Sequence, residues 1–217
     1  MNWTEKTWIV ATCGRGCAAV LKAELKALGY EPQDVSPTSV GLEGDLRDAM
    51  RLNLWLRTAN RVLFEVAGFE IDSADDLYEA VRSLPWEDWL RRDAPFHVHG
   101  VAQHESIRDP RFAVLRCKDA IADRFVDKTG ARPDSTSTPE GAACVALYWK
   151  EQAAQIFIDT SGIPLSHRGY RWRGWVAPLR ETLAASIVLE AGWGKNPAEA
   201  FVGPMCGSGT LAIEAAW

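Results

Sequence analysis

Residues 200–217 read AFVGPMCGSGTLAIEAAW, and three local signals follow one another in that stretch. Residues 200–202 are a short apolar run suited to a strand. Gly203, Pro204, Gly207 and Gly209 break it, and from Leu211 onward come helix-forming residues with Leu211, Ile213 and Ala215 apolar. Strand, glycine turn and helix in this order suit a nucleotide or adenosyl ligand. The glycines let backbone approach it, and the helix start offers free N–H groups. A tight turn ahead of a surface helix satisfies the same pattern. One strand and one helix start do not make a doubly wound sheet, so the weight falls on what stands upstream.

Immediately upstream, residues 181–191 read as a helix stopped by Gly192 and Gly194. Before them, residues 166–180 carry Arg168, Arg171, Arg173 and Arg180 with no acid, interleaved with Tyr170, Trp172 and Trp175. Two readings of this cluster stay open. Arginines among aromatics suit RNA phosphates and unpaired bases; equally, an interdomain linker would pair its arginines with carboxylates of the acidic N-terminal part.

Residues 73–162 form a second pattern. Ser73 caps a helix through Leu77 and Val81 that Pro85 ends, with Trp86 and Trp89 packing in the next turn. Residues 95–103 are β-rich. Asp109 and Pro110 open a long helix with Phe112, Leu115, Ala120, Ile121 and Phe125 as its buried stripe, and residues 132–141 are a polar loop. Residues 144–149 and 154–159 alternate around Lys150-Glu151-Gln152 as a hairpin, completing an α+β unit.

The first 70 or so residues predict a smaller one. Residues 7–12 are strand-like, and a helix over 18–28 puts Val20, Leu21, Leu25 and Leu28 on one face before Gly29. Residues 40–42 form a brief strand. Asp45 caps a helix that turns Leu46, Met50, Leu54 and Trp55 inward, and residues 61–69 return as a strand. The order β-α-β-α-β is an α+β layer, not a helical bundle.

The length, 217 residues and 24.0 kDa, leaves room for one large or two small domains. Hydrophobic residues at 47% and charged residues at 24% exclude a mainly disordered chain. No run approaches the roughly 18–20 apolar residues of a membrane helix. The start MNWTEKTWIV lacks the pattern of a secretion signal, so a cytoplasmic protein is expected. A net charge of −5 argues against a wholly basic nucleic-acid surface. The acid sits at the front: residues 1–90 hold 9 Lys and Arg against 15 Asp and Glu.

Cys13, Cys17, Cys117, Cys144 and Cys206 contain no pairs completing a zinc set and are expected to be buried free thiols. His97 and His99 share a strand face, but only His104 stands near them as a third ligand. Core or surface histidines are the better reading, and no metal is expected. Arg108, Arg111, Arg116 and Lys118 flank the start of the long helix, where phosphate is favoured. Asp109, Asp119 and Asp123 among them leave a solvated helix face as the other reading.

The string PMCGSGTLAIEAA over residues 204–216 resembles motif I of the S-adenosylmethionine-dependent RNA methyltransferases that modify guanine N2. His167-Arg168-Gly169-Tyr170-Arg171 and Ala177-Pro178-Leu179-Arg180-Glu181-Thr182-Leu183-Ala184 stand ahead of it, behind two α+β units. In that order the whole chain resembles the THUMP-domain large-subunit rRNA methyltransferases of the RlmL type. The resemblance implies an α+β fold: a ferredoxin-like unit (1–70), a THUMP RNA-binding domain (71–165), a basic and aromatic linker (166–180) and the first strand, turn and helix of a truncated Rossmann-like methyltransferase domain (181–217).

It further implies an RNA-recognising part of an rRNA (guanine-N2-)-methyltransferase, with S-adenosylmethionine at Pro204, Cys206, Gly207, Ser208, Gly209 and Thr210. Large-subunit ribosomal RNA is the implied partner, and Arg108, Arg111, Arg116, Lys118, Arg168, Tyr170, Arg171 and Arg173 are the residues read as candidates to meet it. Neither metal nor membrane is expected. Two departures stand out. Gly203 occupies a position where the family usually has an acidic residue, and the family's Asn-Pro-Pro-Tyr-type motif, which holds the target amine and stacks the flipped base, is expected beyond Trp217. The chain alone is therefore expected to transfer no methyl group, its sheet being completed by further sequence or by a second chain. A stand-alone RNA-binding adaptor and a nucleotide-binding metabolic enzyme are the competing classes.

Overall fold

A computed structural model describes residues 3–170, 178–194, 200–204 and 206–217. In chain order the elements are β1 (Thr7–Thr12), α1 (Ala18–Ala27), β2 (Gln33–Ser36), β3 (Ser39–Gly44), α2 (Leu46–Trp55), β4 (Arg61–Glu70), α3 (Ala74–Ser83), a 3-10 turn (Trp86–Asp88), β5 (Phe96–Gln103), α4 (Pro110–Thr129), β6 (Ala143–Lys150), β7 (Ala153–Asp159), α5 (Glu181–Glu190) and α6 (Thr210–Ala216). They divide into two compact units, Trp8–Val62 with Ile163–Trp217 and Met1–Thr7 with Leu63–Gly162.

In the first unit β2, β3 and β1 lie side by side, with β2 antiparallel to β3. The order β1-α1-β2-β3-α2-β4 is the split βαβ arrangement of ferredoxin-like folds. Sequence periodicity passes over β2, because QDVS is short, polar and mostly exposed. Ile9 and Ala11 of β1, Leu21 and Leu25 of α1, and Val40 and Leu42 of β3 are fully buried. Gly29 takes the left-handed conformation (φ +92) where α1 ends.

The inward face of α2 differs from the expected one. Leu46, Ala49 and Leu52 are buried, whereas Met50, Leu54 and Trp55 are exposed, Leu54 at 83%. Ala49, a small residue that apolar-periodicity counting skips, marks the true face at three-residue spacing from Leu46 and Leu52. Asp45 caps the helix as expected, accepting from the Arg47 and Asp48 N–H groups at 2.8 and 3.0 Å while Asp48 accepts from the Asp45 N–H at 3.0 Å. Asp45→Ala is therefore expected to cost about 1 kcal/mol in a urea denaturation series. A loss indistinguishable from zero would show the cap to be redundant with solvent.

The second unit has the strand order β4-β7-β6-β5, with β7 antiparallel to both neighbours and β5 parallel to β6. Leu77 and Val81 of α3, Cys117, Ala120, Ile121 and Phe125 of α4, Phe96 of β5, and Leu147 and Trp149 of β6 share one buried cluster. Trp86 is fully buried in it and donates its indole N–H to the Val81 carbonyl at 2.7 Å. At the start of α4 the expected stripe is corrected: Phe112 and Leu115 are 50% and 49% exposed, and Ala113 and Cys117 face inward instead. Again the small residues carry the buried face.

Residues 200–204 are not a strand, in contrast to the expectation. A parallel strand is defined by its partners, and among the described residues none pairs with this segment. No helix of the described residues is long and apolar enough to cross a membrane.

Candidate functional site

The glycine loop before α6 has the backbone its sequence demands. Gly207 and Gly209 adopt φ +51 and +76, and the Gly209 N–H closes a turn on the Cys206 carbonyl at 2.8 Å. Both glycines stand free on the side where a Cβ would project, with no heavy atom within 4 Å of it. Pro204, Cys206 and Gly207 are exposed, so the expected burial of Cys206 is corrected, and a ligand has access to the loop backbone. Ser208 and Thr210 hydroxyls lie 2.9 Å apart, and Thr210 turns inward at the start of α6. The residues present thus fit a group that needs bare backbone at close range.

Helix α6 is anchored by a carboxylate that sequence reading passed over. Glu214 is 0% exposed in its side chain, although it lies in a seven-residue helix at a chain end. The Tyr170 hydroxyl donates to Glu214 Oε1 at 2.9 Å, and Arg168 Nε stands 3.3 Å from the same oxygen as an ion pair. Arg57 Nη2 lies 3.5 Å from Glu214 Oε2 and also donates to the Glu214 carbonyl. Arg168 in turn donates to the Arg57 carbonyl, and its guanidinium lies over the Trp217 ring at 5.4 Å. Burial, the Glu214 hydrogen bond and the Glu214 charge hold the Tyr170 hydroxyl well above the usual tyrosine range.

Arg168 and Tyr170 are thus turned toward α6, 9% of the Arg168 side chain being exposed. The linker expectation has its arginines paired with acids of the N-terminal part; among the described residues Arg168 pairs instead with Glu214 and meets that part at the Arg57 backbone carbonyl. Arg171 and Arg173 lie outside the described residues. One signal for Glu214 was present in the sequence, a single acid within the otherwise apolar run LAIEAA. A lone charge on an apolar helix is rarely buried without partners.

The cations around α4 separate into two kinds. Arg111 is paired with Asp109, its Nη2 at 2.8 Å, and Arg116 with Asp75 at 2.6 Å, while the Arg116 guanidinium also covers the Tyr78 ring at 4.3 Å. Arg108 and Lys118 make no such contact among the described residues, and Arg108 is exposed. Phe112, Leu115 and the half-buried Lys118 follow one another at i+3 along α4, and Arg108 lies just ahead of the helix, before its N-cap Asp109.

Residues 8–63 match the RlmL ferredoxin-like domain, residues 72–139 the THUMP domain, and residues 168–217 the RMKL-like methyltransferase domain. A ribosomal RNA large subunit methyltransferase K/L from Cellvibrio japonicus is 41% identical over 208 residues, which is 95% of this chain and 28% of that protein. The chain thus carries RlmL ferredoxin-like, THUMP and RMKL-like methyltransferase domains in that order, and it resembles the rRNA large subunit methyltransferase K/L proteins over 95% of its length. It spans less than a third of the length of that curated relative.

Solved structures agree with this domain series in fold. A protein from Listeria monocytogenes, described as a predicted N6-adenine-specific DNA methylase, superposes with a TM-score of 0.84 at 37% identity, covering 98% of this chain and 55% of its own. SMU.472, described as a putative methyltransferase complexed with SAH, gives 0.82 at 30% identity, with 100% and 56% covered. The family domains also sort the Glu214 contacts. Arg57 lies in the ferredoxin-like match, whereas Arg168, Tyr170 and Glu214 all lie in the methyltransferase match. The α4 cations fall in the THUMP match.

The remaining candidates carry no chemistry of this kind. The His97 and His99 rings stack at 5.8 Å, and His97 Nδ1 lies 3.0 Å from the Thr136 carbonyl. Among the described residues no three His, Cys, Asp or Glu side chains are grouped to hold a metal. Cys13, Cys17, Cys117 and Cys144 are buried free thiols; burial pushes Cys117 up to about 12, and burial together with Cys17 pushes Cys13 up to about 11.

Proposed function

We propose that the chain is the RNA-recognising part of an S-adenosylmethionine-dependent rRNA (guanine-N2-)-methyltransferase working in the cytoplasm on large-subunit rRNA. One observation carries this reading: a THUMP domain with unpaired cations at and just before its long helix, beside the exposed Phe112, stands in the same chain as an open glycine loop of methyltransferase type. S-adenosylmethionine supplies an electrophilic sulfonium methyl group, and the chain's part is to seat it. Gly207 and Gly209 admit the ligand to bare backbone, with Pro204, Cys206, Ser208 and Thr210 framing the loop. On the RNA side, Arg108 and Lys118 would meet phosphates while Phe112 offers an apolar ring to an unpaired base.

Fluorescence anisotropy with a large-subunit rRNA fragment tests the reading, with single-stranded DNA of equal length as competitor. Charge reversal of both free cations, Arg108→Glu with Lys118→Glu, is expected to weaken RNA binding about tenfold or more. It should also flatten the dependence of log K on log salt by about 1.4, roughly 0.7 per lost phosphate contact on a single strand. An unchanged slope would remove this face from the RNA interface. DNA competing as well as RNA would remove the RNA class.

A further inference from the structure

Helix α6 has seven residues and no side chain capping its N-terminus, and the segment before its glycine loop is not paired as a strand. Two turns of helix do not hold their place by backbone hydrogen bonds alone. What holds α6 comes from elsewhere in its unit. Trp193 donates its indole N–H to the Ala215 carbonyl at 2.7 Å, and Arg57, Arg168 and Tyr170 converge on Glu214. Thr210 and Glu214 stand four residues apart, hence on one face of α6, and both are buried. A shift of Glu214 is therefore carried to Thr210 and to the glycine turn directly before it.

We propose that Arg57, Arg168 and Tyr170 are positioning residues that set the cofactor loop at residues 206–209 through Glu214, so that the ferredoxin-like domain fixes where the methyl donor is seated. The proposal rests on the cofactor reading of that loop. Geometry distinguishes it from a general stabilising contact. Arg57 does not merely neutralise the carboxylate: the same Nη2 that faces Glu214 Oε2 also donates to the Glu214 main-chain carbonyl. The anchor therefore grips the helix backbone, and the Arg168 guanidinium ties that grip to the main chain at Arg57. Charge alone would need neither backbone contact.

Amide hydrogen exchange and titration with S-adenosylhomocysteine, both on the 217-residue chain, test the proposal with Tyr170→Phe and Arg57→Lys. Tyr170→Phe deletes one hydrogen bond and leaves both guanidinium groups, so the fold survives it. Arg57→Lys keeps the charge on a shorter side chain and removes the Nη2 that makes both contacts with Glu214. In each variant, exchange at residues 207–213 is expected to quicken about tenfold, the scale of one lost hydrogen bond to a charged group. Exchange in β1 and α1 of the same unit stays at the wild-type rate, while affinity for S-adenosylhomocysteine falls at least threefold.

Wild-type exchange at residues 207–213 in both variants overturns the proposal. So does faster exchange with unaltered ligand affinity, since a purely structural clamp behaves in that way. A wild-type chain that takes no S-adenosylhomocysteine while exchange still responds overturns the cofactor reading, and the donor-seating role with it. The exchange result then still records that the clamp holds the loop, which tells the two failures apart.

Discussion

Replacing Glu214 by Ala is expected to destabilise the unit formed by Trp8–Val62 and Ile163–Trp217 by about 3–5 kcal/mol, the cost of removing one partner from a buried ion pair. The carboxylate side chain is 0% exposed, and the guanidinium groups facing it are 9% exposed at Arg168 and 24% at Arg57. Once the acid is gone, Arg57 still reaches water, whereas Arg168 remains enclosed between the Arg57 carbonyl and the Trp217 ring. The penalty therefore concentrates on Arg168. The Tyr170 hydroxyl loses its acceptor as well. Glu214→Gln is the informative companion, because its amide oxygen still accepts from Tyr170 while the charge and the acceptor facing Arg57 are lost; a smaller drop is expected. Urea denaturation followed by backbone circular dichroism and tryptophan fluorescence reads both. A loss below about 1 kcal/mol for the Ala variant, the scale of exposed pairs, would mean that water screens the cluster.

That cluster marks where sequence reading stops. Positions governed by local rules were legible: the Asp45 and Ser73 caps, the Pro110 helix start, the left-handed Gly29, and the alternation that makes β6 and β7 a hairpin. Helix faces were less so. Counting large apolar residues turned Met50, Leu54 and Trp55 inward and buried Phe112 and Leu115, whereas burial follows Ala49, Ala113 and Cys117. Where helices pack closely the contact residues are small, and hydropathy gives them little weight. The glycine turn and the start of α6 were legible, with Gly207 and Gly209 both at positive φ, whereas the strand read at 200–202 is not formed. The fate of Arg168 and Tyr170 was not. An arginine beside aromatic residues has the same composition whether it meets a phosphate or a buried carboxylate, and the deciding partner, Glu214, lies 46 residues away from Arg168 in sequence.

The other large effect expected in this protein comes from a single methyl group at Gly100. β5 and β6 run parallel with Gly100 opposite Leu147, and a Cβ built on Gly100 would stand 2.2 Å from the Leu147 carbonyl oxygen and 2.9 Å from its carbonyl carbon. Both are main-chain atoms in the middle of a ladder, so no side-chain rotation relieves the clash and the two strands must separate. Gly100→Ala is expected to cost about 3 kcal/mol, the upper end for overpacking. Gly68→Ala is the control within the same unit, because its nearest neighbour is the Glu65 carboxylate at 3.3 Å, the far end of a flexible side chain. It should cost less than about 1 kcal/mol. Equal losses at the two sites would show that generic glycine replacement in a strand, and not the approach of β5 to β6, sets the effect. The displacement also reaches the proposed RNA face. Phe96, Val98 and Ala102 of β5 share a buried cluster with Ala113, Cys117 and Ile121 of α4, the helix that presents Phe112 and Lys118 on its outer side. A strand pushed off β6 carries that helix with it, so Gly100→Ala should weaken RNA binding even under conditions where the chain remains folded, while Gly68→Ala should leave it unchanged.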